Sequence, residues 1–342
     1  MSKAVLAMAG CVWLAAAACP VLAQQESAPA GTPPAPPAGW EVPRTAWGDP
    51  DLRGTYPLDA VGRTPMQRPA QFGTRALLTD EEYAQAIEAA RELEGDADRE
   101  DQANVLGTGN WFEWGTPLRQ TSLITEPANG RIPEMTAQGR EWAANMHSSW
   151  SKDVFDGLED FNALDRCITR GMPASMIPFP YNNGLRVFQA PGHVAINLEM
   201  IHETRVIPLD GRAQLPGHME TWLGSSRGRW EGDTLVVETV NFNGESPMVI
   251  VGPSNEPVPT SKSLKVVEHF TPTGPGHVFY EAWVEDPEVL TAPFKLAFPW
   301  TRDDDYEAFE YACHEGNTTI SAYITATSPR FAQWRLDNGG IE

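Results

Sequence analysis

The densest group of ionisable side chains lies between Glu199 and Arg205, in the sequence EMIHETR. The pattern predicts a strand, whose alternate side chains share a face, so Glu199, Glu203 and Arg205 should lie on one face and His202 on the other. Charged groups are costly to bury without partners, so the segment indicates either acid–base chemistry or structural ion pairing. The sequence leaves both interpretations open.

A second group follows in EYACHE, residues 310–315, where His314 and Glu315 come directly after Cys313. If Cys313 pairs with Cys167, this segment lies beside the irregular loop that runs from Arg170 to Asn183. Loops positioned by a rigid scaffold often carry binding groups, so this loop is a plausible wall of a site. The alternative is a purely structural cap.

A third candidate is Glu268, which stands among Leu264, Val266 and Phe270 on the apolar face of a predicted strand. A carboxyl group there indicates either a ligand cavity that uses a general acid or base, or a shift in strand register. The predicted catalytic residues are therefore Glu199, His202, Arg205, Glu268, His314 and Glu315. The predicted substrate-binding residues are Tyr181, Asn182, Asn183, Trp222, Arg227 and Tyr311.

The sequence lacks the common motifs for metals and nucleotides. It contains no HExxH, HxH, EF-hand loop or cysteine quartet, and neither a P-loop nor a GxGxxG loop follows a predicted strand. We therefore predict no metal and no cofactor. A metal site assembled from Glu199, His202, His314 and Glu315 is a less favoured alternative.

The elements that would position these residues are mostly strands. From about Leu185 the chain consists of short β-rich runs broken by Gly, Pro, Asn and Asp, and the predicted strands are 185–189, 193–201, 204–209, 217–223, 234–240, 264–270, 278–284, 306–313 and 318–324. Strands in succession without intervening helices favour an antiparallel meander. We predict a mainly β protein whose meander closes into an up-and-down, lipocalin-like barrel with short peripheral helices. A β-sandwich is the alternative.

The N-terminal half has a different composition. Residues 1–23 are typical of a signal peptide, because Lys3 precedes a short apolar run and Ala23 ends a small-residue cleavage site; a lipid on Cys19 is the less favoured alternative. The Pro- and Ala-rich residues 24–39 predict a disordered tether. Residues 40–184 should wrap irregularly, with one helix that begins after Thr79 and could end at Gly95, and a second over 136–147. They should form one domain with the meander of 185–342.

Cysteine usage and charge limit the compartment and the partners. Cleavage after Ala23 leaves Cys167 and Cys313, which an oxidising compartment would join in a disulfide. The formal net charge of −21 repels nucleic acids and anionic membranes. We predict a periplasmic or secreted protein without an integral membrane segment, whose partner is a small organic molecule. The oligomeric state is left open.

Several stretches carry a resemblance to known sequences: RQTSLITEPANGRIP (119–133), CITRGMP (167–173), EMIHETRVIPLDGR (199–212), WLGSSRGRWEGDTLVVETVNF (222–242) and EYACHEGN (310–317). Together they resemble a family of uncharacterised secreted bacterial proteins. The resemblance covers most of the chain after Arg119. It implies an extracytoplasmic location and a coherent fold, and it implies no activity.

The function expected from these observations is an extracytoplasmic enzyme that holds a small organic substrate in a barrel cavity. Its Glu and His side chains would perform acid–base chemistry, as in a lyase, isomerase or hydrolase. The alternatives are a lipocalin-like binder without catalysis and an envelope structural protein. An enzyme requires two titratable groups that converge on a cavity, whereas a structural protein needs no cavity of ligand size.

Overall fold

The computed structural model describes residues 30–58, 63–103, 112–149, 152–251 and 256–338. The predicted signal peptide, 1–23, lies outside the described residues. Residues 30–39, which the sequence assigns to the tether, lie near the largest sheet, where the carbonyl of Gly31 accepts a 3.0 Å hydrogen bond from Nζ of Lys295. No helix within the described ranges combines the length and the apolar character that a membrane crossing needs.

The described residues form twelve strands and four helices. The strands are β1 (Gly54–Pro57), β2 (Ile124–Glu126), β3 (Gly184–Ala190), β4 (His193–Leu198), β5 (Thr204–Pro208), β6 (Ser225–Glu231), β7 (Thr234–Val240), β8 (Pro247–Val251), β9 (Glu256–Pro259), β10 (Lys265–Gly274), β11 (His277–Glu285) and β12 (Phe294–Thr301). The helices are α1 (Asp80–Gln102), α2 (Ala137–Asn145), α3 (Thr319–Thr327) and α4 (Pro329–Asp337).

These strands pair into three antiparallel sheets. A four-stranded sheet has the order β1-β3-β4-β5, a six-stranded sheet has the order β2-β12-β11-β10-β7-β6, and β8 pairs with β9. The prediction of a mainly antiparallel β protein with short peripheral helices is confirmed, although α1 is longer than predicted because it continues past Gly95.

The predicted closed barrel is not formed by the described strands. The four- and six-stranded sheets share no hydrogen-bonded ladder. The segment between β5 and β6, 209–224, contains three Gly and one Pro and takes an irregular path, so the meander does not pass from one sheet to the other by a regular hairpin. The hydrogen bonding is thus nearer to the two packed sheets of the alternative prediction.

The space between the two large sheets is filled by side chains. Tyr280 stacks on Trp300 with ring centroids 5.0 Å apart, and Phe270 meets Trp300 at 5.4 Å. Both sheets contribute to one continuous apolar core, which includes Val187 and Ile196 from the smaller sheet. A void of only about 10 Å³ remains beside these aromatic rings. A ligand cavity of the lipocalin kind is therefore absent from the described core.

Several predicted strands were wrong. The predicted strand 217–223 is irregular, 306–313 is an extended loop and 318–324 belongs to helix α3. The helix is followed at once by α4, where Ser328 caps the new helix through its Oγ and Pro329 occupies the first turn. Conversely, the strands β1, β2, β6, β8, β9 and β12 were not predicted.

The two predicted helix starts are confirmed by their caps. Oγ1 of Thr79 accepts from the backbone N–H of Glu82 at 3.2 Å, and the Glu82 carboxylate accepts from the N–H of Thr79 at 2.8 Å, which is a reciprocal capping box. Thr136 caps α2 by accepting from the N–H of Gly139 at 2.9 Å. A side chain at Gly139 would approach the carbonyl oxygen of Val289 to 2.4 Å, so this close approach requires glycine.

Candidate functional site

Residues 199–203 of the EMIHETR segment form the turn between β4 and β5, and Thr204 and Arg205 begin β5, so the prediction of one continuous strand through the segment was wrong. Strand β4 ends at Leu198, and Ile201 and His202 then take left-handed backbone conformations with φ of 62° and 46°. This conformation is strained for a β-branched residue. The reversal sends Glu199, His202 and Arg205 in three different directions.

Arg205 and Glu268 meet in the core between the two large sheets. Nη1 of Arg205 donates to Oε1 of Glu268 at 3.0 Å, and Nη2 donates to Oε2. The hydroxyl of Tyr280 also donates to Oε1 at 3.0 Å. Burial disfavours the charge on Arg205, but the adjacent Glu268 outweighs this effect and raises the pKa of Arg205, whereas burial raises the pKa of Tyr280 well above its usual value. Arg205, Glu268 and Tyr280 thus form an internal hydrogen-bonded network, and Arg205 and Glu268 line none of the cavities described for these residues.

Ser226 belongs to the same buried network. The sequence Gly224 to Gly228 has the form GxSxG, which in some hydrolases places a nucleophilic serine on a turn between a strand and a helix. Here Ser226 lies within β6, and its hydroxyl is 2.9 Å from Oγ1 of Thr239 on β7. The strand setting and the buried partner exclude the nucleophile role for Ser226.

Glu199 is buried and accepts four hydrogen bonds. Its donors are Nδ2 of Asn182 at 2.9 Å, the N–H of Gly184 at 3.1 Å, the hydroxyl of Tyr306 at 2.7 Å and the N–H of Phe309 at 3.0 Å. With both carboxylate oxygens saturated in this way, Glu199 holds together the loop before β3 and the C-terminal segment.

Tyr306 also contacts a carboxylate that the sequence did not reveal. Its hydroxyl lies 2.8 Å from Oε1 of Glu113, so one phenol stands between Glu113 and Glu199. Burial and then the hydrogen bond to Glu199 raise the pKa of Tyr306 far above its usual value. The available signal for Glu113 was an acidic residue within the aromatic run Trp111 to Trp114.

The remaining predicted catalytic residues are exposed. Nδ1 of His202 lies 2.9 Å from the carbonyl oxygen of Tyr311, while His314 and Glu315 stand on the surface loop that follows Cys313. The structure therefore brings together Arg205 with Glu268, and it separates that pair from Glu199 and from the exposed groups.

The disulfide between Cys167 and Cys313 is confirmed. The Cα atoms are 5.7 Å apart, within the range that a disulfide bridges. The bond joins the C-terminal segment to the beginning of the loop 164–183. Nδ2 of Asn317 donates to Sγ of Cys167 at 3.3 Å and adds a second link between the two segments.

The loop 164–183 forms one wall of a cavity in the part of the chain that the structure describes. This cavity has a volume of about 270 Å³. Its lining residues are Thr64, Pro65, Met66, Leu123, Leu164, Arg170, Ala174, Ile177, Pro178, Phe179, Pro247 and Val249. Arg170 is the charged residue in an otherwise mostly apolar lining. None of the six predicted catalytic residues belongs to it.

Arg170 is partly exposed to the cavity yet densely surrounded by protein. Nη1 donates to the carbonyl of Ile177 at 3.3 Å, and the guanidinium lies 4.6 Å from the ring centre of Phe179. Burial lowers the pKa of Arg170 to about 10, while Tyr181 and Tyr311 oppose the shift. At neutral pH the side chain is still a cation.

Four of the predicted binding residues lie beside this wall. Tyr181 packs edge-on against Phe179 with ring centres 5.1 Å apart and is hydrogen-bonded to Tyr311. Asn183 accepts from the N–H of Phe179 and donates to its carbonyl, both at 2.6 Å, and Asn182 binds Glu199. These residues position the wall and do not line the cavity.

Trp222 lies in the irregular segment before β6, and Arg227 lies within β6. Nε of Arg227 donates to the carbonyl of Ala213 at 3.0 Å, which ties the segment to the strand. The described residues also contain no group of three or more His, Cys, Asp or Glu side chains arranged to hold a metal ion. The alternative metal site from Glu199, His202, His314 and Glu315 is thus not assembled.

Comparisons with known sequences and structures do not identify a family or a function for this chain. No protein-family model and no curated protein matches the sequence. Among solved structures, an abundant heat soluble (SAHS) protein from Ramazzottius varieornatus is similar over 42% of this chain and 87% of its own, with 10% sequence identity and a TM-score of 0.22. At this TM-score the similarity carries no argument about fold or function.

Proposed function

We propose that the protein is a binder of a small, largely apolar organic molecule, held in the cavity beside the loop 164–183. The observation that carries this proposal is a cavity of about 270 Å³ with a mostly apolar lining and one cation, Arg170. Ligand sites are usually concave and apolar, with a few polar groups that fix the orientation of the ligand.

Binding without catalysis is the better-supported form of this proposal. A general acid or base must lie within hydrogen-bond reach of the reacting group. The cavity lining includes no carboxylate and no imidazole, and Arg170 keeps its proton at neutral pH because its pKa remains about 10. The enzyme expected from sequence would need its Glu and His side chains on this wall. We therefore favour the non-catalytic alternative.

We also propose that the protein works outside the cytoplasm, after cleavage of the signal peptide near Ala23. The disulfide between Cys167 and Cys313 supports this location, because such bonds persist in oxidising compartments. The resemblance to secreted bacterial proteins supports it as well. The negative charge of the chain favours a small molecule over a nucleic acid as the partner.

The test blocks the cavity with a larger side chain. Leu164 lines the cavity, whereas Leu158 is 59% exposed outside it, so Leu164→Trp and Leu158→Trp are a matched pair. Small aromatic and aliphatic compounds are titrated into each protein by ligand-observed NMR. We expect ligands of the wild-type protein to bind Leu158→Trp equally and Leu164→Trp at least tenfold more weakly. Equal binding to both variants at equal thermal stability would refute the proposed site.

A further inference from the structure

The guanidinium of Arg170 has unused hydrogen-bonding capacity at the cavity. A guanidinium carries five N–H donors. The protein uses one of them for the 3.3 Å contact with the carbonyl of Ile177, and Phe179 covers one face of the group. Within the described ranges, no carboxylate lies within 4 Å of Arg170, although many other arginines of this acidic protein pair with one.

Neighbouring residues hold this cation in place. Phe179 lies under the guanidinium and is fixed by the two hydrogen bonds of its backbone to Asn183, whose Nδ2 also donates to Glu113 at 2.6 Å. Gly171, next to Arg170, packs against β8 so closely that a Cβ atom there would approach the carbonyl oxygen of Pro247 to 2.5 Å. A cation that is positioned before the ligand arrives loses little conformational entropy on binding.

We infer that the ligand is a compact monocarboxylic acid, whose carboxylate binds Arg170 and whose apolar body lies against Met66, Leu123 and Val249. This inference rests on the proposed function, because it assigns the ligand class of the same cavity. The planar guanidinium matches a carboxylate with two parallel hydrogen bonds. The volume of about 270 Å³ lies below the range of roughly 300–1,000 Å³ of drug-sized sites, which favours a compact molecule.

A single negative charge fits better than two. Arg170 is the cation of the lining, and the other polar side chain there, Thr64, is a neutral hydroxyl. A phosphate dianion would need a second cation, which these lining residues do not supply. A neutral analogue would leave the partly desolvated cation without an anionic partner. We expect the carboxylate to bind about 10- to 100-fold more tightly than a neutral analogue of the same shape, the usual range for a charge-assisted hydrogen bond.

The experiment compares three probes of similar shape: benzoate, benzamide and phenyl phosphate. Each is titrated by ligand-observed NMR at pH 7 into the wild-type protein, Arg170→Met and Arg170→Lys. Methionine preserves the apolar packing on Phe179 and removes the charge, whereas lysine keeps the charge and loses the planar fork. We expect wild type to prefer benzoate over benzamide at least tenfold, Arg170→Met to lose that preference while still binding benzamide, and Arg170→Lys to retain part of it.

The outcomes separate the ligand class from the site itself. Equal affinities of wild type for benzoate and benzamide, both weakened by Leu164→Trp, would overturn the monocarboxylate and leave the site intact. Tighter binding of phenyl phosphate than of benzoate would also overturn it, in favour of dianions. If none of the three probes binds wild type, the inference and the proposed function fail together. A protein with a net charge of −21 repels anions in general. Nonspecific attraction to the protein surface would therefore not explain the binding of benzoate.

Discussion

Arg205 on β5 and Glu268 on β10 are joined by two hydrogen bonds across the space between the two large sheets. Both side chains are almost fully buried, at 2% and 0% exposure, and each is the charge partner of the other. Such a pair contributes less to stability than its charges suggest, because both groups lose their hydration on burial. The removal of one partner, however, leaves an uncompensated charge in an apolar core.

We therefore predict that Glu268→Leu lowers the free energy of unfolding by about 3–5 kcal/mol, whereas the double variant Arg205→Met/Glu268→Leu recovers most of that loss. Urea denaturation at pH 7 measures both values. His202→Gln changes an exposed side chain and should stay within about 0.5 kcal/mol of wild type. A double variant as unstable as Glu268→Leu would contradict the interpretation that the main role of each charge is to neutralise the other.

The sequence predicted the local parts of the fold that depend on neighbouring residues. The helix starts at Thr79, with its capping box to Glu82, and at Thr136 both follow from short-range chemistry. Segments whose conformation depends on distant contacts were predicted wrongly. Residues 306–313 have the composition of a strand, but their polar groups bind Glu113, Glu199 and His202 in place of a neighbouring strand.

The candidate site was predicted only in part, for a related reason. The sequence indicated Tyr181, Asn182 and Asn183 and predicted that the loop from Arg170 is a wall of a site; this loop lines the cavity through Arg170, Ala174 and Phe179, and the three predicted residues do not. It could not indicate that Arg170 has no carboxylate partner among the residues that the structure describes, because 46 acidic residues offer many possible partners. Arg205 and Glu268, the charges that stood out in the sequence, are paired with each other. The cation that lines the cavity is Arg170, and nothing in the sequence around it distinguishes it from the other arginines.

We predict that the mature protein begins at Gln24. Lys3 and the apolar run that follows it, together with Val21-Leu22-Ala23, are typical of a signal peptide with its cleavage site. Intact-mass analysis of the protein from the periplasm or the medium should give the mass of residues 24–342 with one disulfide. A mass that includes Met1, or that carries a lipid on Cys19, would contradict cleavage after Ala23.

We predict that the disulfide between Cys167 and Cys313 stabilises the folded protein by roughly 3–5 kcal/mol, because it closes a loop over a sequence separation of 146 residues in the unfolded chain. The double variant Cys167→Ser/Cys313→Ser removes the bond without leaving a free thiol. Urea denaturation should show this loss relative to wild type, and the reduced wild-type protein should match the variant. Alkylation of both thiols in unreduced, denatured wild-type protein would show that the bond does not form.

The last prediction concerns Tyr306, whose hydroxyl lies between the carboxylates of Glu113 and Glu199. Tyr306→Phe removes the hydroxyl that lies between the two carboxylates, while Glu199 keeps its hydrogen bonds from Asn182, Gly184 and Phe309. A hydrogen bond to a charged group contributes about 1.5–3 kcal/mol, so we expect a loss of about that size at pH 7. Tyr323→Phe, at a tyrosine that is 36% exposed, is the matched control and should leave stability nearly unchanged.

The pH dependence of Tyr306→Phe follows from the raised pKa of Tyr306 in the folded state. In the unfolded chain the phenol ionises near pH 10, whereas in the folded protein it keeps its proton, so above pH 10 the unfolded state binds fewer protons. The stabilisation by Tyr306 is therefore complete below pH 10 and is lost as the pH rises above it. The stability difference between wild type and Tyr306→Phe should shrink between pH 9 and pH 11 in urea denaturation. Tyr280 and the other buried tyrosines are common to both proteins, so their titration cancels in this difference. A difference that stays constant between pH 9 and pH 11 would show that the Tyr306 hydroxyl ionises alike in the folded and the unfolded protein.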